Sequence, residues 1–434
     1  KLSLTNLINN PIGNVFRRAY IKRRLISDGK YETDWQDITE YIKSWGKIQT
    51  SVDEIKINTF KQSGISIKAV NDQGKFNMET NEASLWFGYM TRFRTLLKIE
   101  AGYTDSDGTE YPTNPSQGIF ILTNDVRISG KKNEALLNFK SLTSVFDEVQ
   151  STDIPGLNAI QTAYDIVVKI RDHTDGAGEY VFRQFITSTS WTIQTTTNNF
   201  LLDTATNIDG LSCWELMNKL AEAEGYILLI NRLGGIEFRD RDQRTTTSQF
   251  SFYGQGFKDQ NIISMDEVRE PITKYYNYIR LKHLEPDTST SYVTAGVNTT
   301  VDPSSSAWKY GIRTYEFENT LISGTATAQT IASTLLALYE NNINEELKLK
   351  TKFCPQLEVS DRVLLNYRSY VLQDVMLWDV DDWATDAAYL PEDSEWADEK
   401  GENFDWTDVP FKILSRETDL DKFSNSFILK RLIS

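Results

Sequence analysis

The stretch Ser212-Cys-Trp-Glu-Leu-Met-Asn-Lys-Leu-Ala-Glu-Ala-Glu-Gly-Tyr226 reads as one helix with both of its ends marked. Ser212 stands three residues before Glu215, the spacing of a capping box, in which each side chain takes the other residue's free backbone N–H. Cys213, Leu216, Leu220 and Ala223 recur at intervals of three and four and share one face. Gly225 follows as the residue that leaves the helix through a left-handed turn. Directly afterwards come an apolar run at 226–230, a turn around Leu233-Gly-Gly235, and a second run at 236–239. Helix, strand, glycine turn and strand make a compact α+β unit. An amphipathic segment at 157–171, with Ile160, Ala163, Val167 and Ile170 on one side, precedes it. The unit is assigned to residues 149–250.

Short strands flank it on both sides. Toward the N-terminus, alternation at Ile55-Lys-Ile57 and Ile65-Ser-Ile67 breaks at Asn71-Asp-Gln-Gly74, the pattern of strand, turn and strand. Further strands are expected at 85–89, 96–101, 120–128 and 136–142. This density of short strands separated by turn residues predicts a β-barrel or sandwich over 1–148. Toward the C-terminus, strands are expected at 277–282, 346–353, 362–367, 369–373, 411–415 and 427–432. Residues 284–306, rich in Thr, Ser, Asp and Pro, read as a long loop or mobile hairpin. A helix is expected near 326–341, with Ile331, Leu335 and Leu338 inward and Thr325 as N-cap. The fold class is therefore α+β and mainly β. Two β-barrel domains, 1–148 and 251–434, enclose the small α+β domain.

Composition narrows the function. The 434 residues carry 61 acids against 46 bases, a net charge of −15, which disfavours a general nucleic-acid-binding surface. No apolar run approaches the ~20 residues of a membrane helix, and no signal-peptide pattern opens the chain. Two cysteines, Cys213 and Cys354, and two histidines, His173 and His283, are too few for a disulfide framework or most metal clusters. No cofactor or metal is expected.

Candidate chemistry is weak along the whole chain. Asp172-His173 with Asp175 has the look of an oriented imidazole, but it sits in Arg-Asp-His-Thr-Asp-Gly-Ala-Gly, a surface turn after a helix. Gly-Ala-Gly at 176–178 lacks both the phosphate-loop Lys-Ser/Thr and the third glycine of a dinucleotide fingerprint. Cys213 lies on an apolar helix face, and Cys354 precedes Pro355. The chain does not read as an enzyme.

Two charged stretches stand out. The first 24 residues hold six bases and no acid. Arg17, Arg18, Arg23 and Arg24 are either a solvated strand face or contacts to an acidic neighbour, another copy of this chain among them. Residues 374–408 carry thirteen acids, one base (Lys400) and four tryptophans. One reading is a hairpin excursion folded on its own protein. The second is an element that docks a partner or lines a lumen, through Trp378, Asp381, Asp382, Trp383, Trp396 and Trp406. A third, a cation site on Asp379, Asp381 and Asp382, lacks the calcium-loop glycine.

Three segments carry a resemblance. The 212–226 helix with Gly234-Gly-Ile-Glu-Phe-Arg-Asp-Arg241 resembles the helix-and-hairpin signature of phage tail hub proteins (the baseplate hub or tail-tip family). Leu357-Glu-Val-Ser-Asp-Arg-Val-Leu-Leu365 resembles the opening of that family's last barrel, with Ser360 in place of the usual glycine. The run from Phe411-Lys-Ile-Leu-Ser-Arg-Glu-Thr-Asp to Phe427-Ile-Leu-Lys-Arg-Leu432 is similar to its terminal hairpin, and Trp35-Gln-Asp-Ile-Thr-Glu-Tyr41 to its first barrel.

The resemblance implies a structural virion protein located at the tail tip and made in the host cytoplasm. It implies a homotrimeric hub at the distal end of the tail tube, whose two barrels per subunit match a hexameric tube. The implied partners are the tail tube or distal tail ring protein, the tape-measure protein, and a fibre or spike protein, with DNA only as transiting cargo. Ending at the terminal hairpin, the chain leaves little room for an appended lytic domain. The alternatives are a hexameric distal tail ring or spike-base component, and a carbohydrate-binding surface protein suggested by the tryptophans and acids.

Overall fold

The computed structural model describes residues 8, 14–53, 59–77, 81–90, 95–122, 126–129, 133–157, 162–175, 182, 191–195, 208, 210–240, 247–255, 257, 260–269, 275–285, 289–296, 305–340, 346–368 and 405–432. Four sheets of three or more strands organise them. The first runs in the order Gln36–Asp37, Asn14–Lys22, Leu96–Thr104, Ser116–Leu122, Glu134–Ser141, Ile65–Val70, Ile42–Ser44. Its two outermost strands are joined by a single 3-10 turn, Thr39–Tyr41, so the edges of the sheet are drawn together. Alternation decides which side faces in: along Ile65–Val70, Ile65, Ile67 and Ala69 are buried while Ser66 and Lys68 are exposed.

The second large sheet runs Ser248–Tyr253, Arg362–Arg368, Asp405–Asp419, Ser424–Arg431, Glu346–Lys352, Ile262–Arg269. Its seam is closed by the buried Asn261. The Asn261 N–H donates to the Tyr253 carbonyl at 2.9 Å, and its Oδ1 accepts from the Tyr253 N–H at 2.9 Å, as a paired strand residue would. One polar side chain thus satisfies backbone groups that an open edge would leave exposed.

This sheet also borrows from the N-terminal region. The hairpin Lys47–Asp53 and Thr59–Gln62 pairs with Asp405–Asp419, aligning Ser51 with Ser415 and Lys47 with Asp419. The chain therefore leaves the first sheet, adds two strands to the second, and returns. A glycine marks each crossing. Gly46 has φ +69°, and a Cβ there would stand 2.7 Å from the Ser66 carbonyl oxygen; at Gly64 a Cβ would collide with the Phe139 carbonyl oxygen.

Between the large sheets lies the unit anticipated from the 212–226 stretch. The helix Cys213–Glu224 is capped by Ser212 and Glu215 in a reciprocal box and ends at Gly225, φ +70°. Tyr226–Ile230 and Ile236–Asp240 form the hairpin, joined by Thr192–Ile193 in parallel. The preceding helix begins later than the sequence pattern suggests, at Ala163, where Thr162 and Asp165 form another capping box.

The fourth sheet, Thr290–Gly296, Tyr278–Leu284, Thr314–Ser323, carries the helix Thr325–Glu340 and has its own apolar core around Ile279, Leu281, Ile331 and Leu335. This helix sits on the three-stranded sheet, outside the eight-stranded one. Thr325 is its first helical residue rather than its cap, and its hydroxyl donates to Glu285 Oε1 at 2.7 Å. Of the two readings of 284–306, loop or hairpin, the described residues show the hairpin: the Thr290–Gly296 strand folds back on Tyr278–Leu284.

Residues 85–89, expected as a strand, are mostly turn. The Asn81 side chain accepts from the Ala83 N–H and the Ser84 hydroxyl from the Trp86 N–H, so local side-chain bonds replace a ladder. Only Tyr89–Met90 pairs, with Arg24–Leu25. The 369–373 strand lies outside the described residues.

Candidate functional site at the joint between the sheets

Two clusters tie the large sheets together, and both involve residues far apart in sequence. The first is built on Arg17, from the strand Asn14–Lys22. Its Nη1 donates to the Leu420 carbonyl at 2.7 Å and to Asp421 Oδ1 at 3.3 Å, and the guanidinium lies over the rings of Trp45 and Phe423. Asp421 also accepts from the Trp45 N–H and the Ser44 hydroxyl. One carboxylate at the tip of the terminal hairpin thereby holds the strand, the crossing point and the cation stacked on it.

The second cluster is buried. Gln117, on Ser116–Leu122 of the first sheet, donates from Nε2 to the carbonyls of Ala101, Pro115 and Pro355 at 3.2, 3.0 and 3.1 Å, while its Oε1 accepts from Arg416 of the second sheet. The middle unit joins through the turn between its strands. The Arg232 N–H donates to Glu358 Oε1 at 2.5 Å, its Nη1 to the Pro355 carbonyl at 3.2 Å, and its own carbonyl accepts from the Ser116 hydroxyl at 2.8 Å. Nearby, the Tyr103 hydroxyl donates to the Phe353 carbonyl at 2.8 Å.

Burial sets the electrostatics of this cluster. It lowers Arg416 to about 10, so the guanidinium keeps its proton at neutral pH, with Glu358 and Asp361 supplying the countercharge. The Tyr103 phenol is pushed up by the same desolvation. Cys354 and Cys213 are both raised to about 12 by burial, which leaves them protonated and unreactive. The arrangement fixes the position of one sheet against the other and of the helix-and-hairpin unit against both.

The residues singled out from sequence are distributed as follows. Arg17 holds the joint just described. Arg18 pairs with Glu110. Arg23 pairs with Glu32 and donates to the Leu85 carbonyl; Arg24 pairs with Asp175 and donates to the Gly29 carbonyl. All four arginines thus have partners within their own chain. Trp406 is 5% exposed, tilted against Phe411 at 5.6 Å in the second sheet. Trp378, Asp379, Asp381, Asp382, Trp383 and Trp396 lie outside the described residues. Asp172 pairs with Arg171 and Asp175 with Arg24, so neither carboxylate orients His173. His283 is fully buried with Nε2 3.0 Å from Glu285 Oε1. Among the described residues no group of three His, Cys, Asp or Glu is placed to hold a metal ion, and no helix is long and apolar enough to cross a membrane.

Sequence reading passed over Gln117, Arg232 and Arg416. The only local signal was a polar residue at an inward strand position, as with Arg416 between Ile413 and Thr418.

The architecture of two large sheets clasped across a helix-and-hairpin unit has a solved counterpart. A tail protein from Neisseria meningitidis MC58 superposes with a TM-score of 0.51 over 95% of this chain and 96% of that one, at 12% identity. The chain has the fold of that tail protein. A prophage tail protein from Listeria monocytogenes EGD-e (TM-score 0.46, 11% identity, 95% and 94% covered) and the 43 kDa tail protein of prophage MuSo2 from Shewanella oneidensis (0.43, 12%, 95% and 98%) are also similar. No protein-family model matches the chain, and no curated protein matches it by sequence. The tail-protein fold agrees with the family resemblance carried by the 212–241 and 357–365 segments.

Proposed function

We propose that this chain is a structural virion protein, the subunit of a homotrimeric hub at the distal end of a phage tail tube. It adapts the hexameric tube to the tail tip and forms part of the DNA exit conduit. The observation that carries the reading is the pair of curled sheets clasped at Arg17–Asp421 and Arg416–Gln117, in a fold matched over nearly its whole length by a tail protein. Two linked sheets per subunit give three copies six sheets, the number needed to meet a sixfold tube. The clasp matters because a ring built from two barrels per subunit keeps its pitch only if the barrels do not swing.

Charge supports the conduit. Three copies carry three times −15, and an acidic wall repels phosphates, so DNA passes without adhering. The role is structural and non-enzymatic, the location the tail tip after synthesis in the host cytoplasm. The partners are the tail tube or distal ring protein, the tape-measure protein and a fibre or spike.

Native mass across a concentration series tests the reading. A species at three times 49.7 kDa is expected. A hexamer would instead identify a distal ring component, and a chain that stays monomeric even with tail tubes added would overturn the hub.

A further inference from the structure

The outer face of the second sheet carries a groove of about 440 Å³ that the joint does not use. It is lined by neighbouring strands in register: Gln49 beside Glu417, Glu417 beside Ser426, and Ser426 beside Lys350. One wall carries Glu417 and Asp419, partly neutralised by Lys47, which pairs with Glu417 at 2.7 Å and reaches Asp419 at 3.9 Å. The other wall carries Lys348 and Lys350, two residues apart on the same exposed side of Glu346–Lys352, with Lys422 at the end of the groove. These three lysines have no ion-pair partner among the described residues. Between the walls lie Ser424 and Ser426, hydroxyls that donate to an incoming oxygen, and Ile428, 39% exposed.

Free cations with hydroxyls and one exposed aliphatic side chain fit a peptide that alternates carboxylates with large apolar residues. Duplex DNA fits less well, because its outer surface of phosphate and sugar offers no large apolar group to cover Ile428. The chain itself supplies a peptide of the matching chemistry: between 374 and 404 the sequence sets eleven acids among Trp378, Trp383 and Trp396.

We infer that the Lys348–Lys350–Lys422 groove docks the acidic tryptophan segment, residues 374–404, of a neighbouring copy. Charge assigns the segment to a second copy: copies that each carry −15 repel one another unless local charge is complementary, and the groove supplies that complement. The inference rests on the copies standing side by side, as in the proposed hub.

Cross-linking of the full chain tests it. Unlabelled and ¹⁵N-labelled chains are mixed in equal amounts, assembled, and treated with a carbodiimide, which joins a lysine Nζ to a carboxylate it touches. The Lys47–Glu417 pair is the internal standard for reaction within one chain. Expected are links from Lys348 or Lys350 to acids between 374 and 404, about half of them joining a heavy to a light chain as random mixing requires. The Lys348→Glu/Lys350→Glu variant, checked for intact fold by circular dichroism, is expected to weaken trimer association at least tenfold. A trimer whose Lys47–Glu417 link forms while Lys348 and Lys350 give none, or give only links within one chain, overturns the groove assignment and leaves the hub standing. Binding of short duplex DNA by the parent chain but not by the variant overturns it too. Absence of any trimer removes the hub reading as well.

Discussion

The buried guanidinium of Arg416 donates to Gln117 Oε1 across 299 residues of sequence, and the same Gln117 amide donates to three carbonyls: Ala101 on the neighbouring strand, Pro115 just before its own strand, and Pro355. One neutral side chain is therefore both the acceptor for a buried cation and the tie between sheets. Gln117→Leu removes that acceptor and is expected to cost about 3 kcal/mol, because it leaves a charge buried without its hydrogen bond. Adding Arg416→Met is expected to recover much of the loss, since an apolar pair at a buried site often does as well as a polar one. Urea denaturation of the two single variants and the double closes the cycle. If the double variant loses the sum of the singles, the two residues are not coupled.

High pH is expected to undo the interior. Cys213 and Cys354, with an ordinary thiol value of 9.0, are raised to about 12 in the folded chain. The fold favours the protonated thiols, so their contribution is complete below pH 9 and is lost as the pH climbs toward 12. The Tyr103 phenol, also raised, adds in the same direction from pH 10 upward. Arg416, lowered from 12.5 to about 10, works the other way: the unfolded chain holds its proton more tightly between those values, so this group regains stability there. With three groups against one, stability is expected to fall between pH 9 and 12. Midpoints of guanidinium unfolding at pH 7, 9 and 10.5 measure it, and a Cys213→Ala/Cys354→Ala chain should show a shallower fall.

Local order was the legible part of the sequence, and long-range order was not. The helix Cys213–Glu224 carries its capping box, its apolar face and its terminal glycine within fourteen residues, so its ends were readable to the residue. Strand existence was legible wherever one face is buried, as along Ile65–Val70. The transfer of Lys47–Gln62 into the distant sheet left no such mark, because both sheets accept the same alternation and only the glycines at 46 and 64 distinguish the crossing. The joint was hidden for the same reason. Gln117 and Arg416 look like ordinary strand residues until strands 299 positions apart are placed together.

Ser360 sits where the resembling family has glycine, and the backbone keeps the glycine conformation, φ +68°, with the side chain fully buried and its hydroxyl without a hydrogen-bond partner among the described residues. A left-handed conformation at a residue with a Cβ costs roughly 1–2 kcal/mol. Ser360→Gly relieves that strain and removes a buried unpaired hydroxyl, against the greater chain entropy of an unfolded glycine, ~0.5–1 kcal/mol. A net gain of about 1 kcal/mol is expected, read as a higher midpoint in urea with an unchanged slope. Ser360→Val, β-branched and still left-handed, is expected to lower it.

The two crossing glycines give the most direct test of how the sheets are coupled. A Cβ at Gly64 meets the Phe139 carbonyl oxygen, and backbone cannot move aside as a side-chain tip can. Gly64→Ala is therefore expected to cost about 2 kcal/mol or more by displacing the chain as it re-enters the first sheet. Gly46→Ala meets the Ser66 carbonyl oxygen and a positive φ, and is expected to cost about as much. The consequence should appear at a distance: the Lys47–Asp53 strand carries the pairing to Ser415–Asp419, so amide exchange should quicken in both segments. Faster exchange confined to residues beside the substituted turn, with Ile48, Thr50, Arg416 and Thr418 still protected, would mean that the hairpin is held by the second sheet alone and that the crossings carry no coupling.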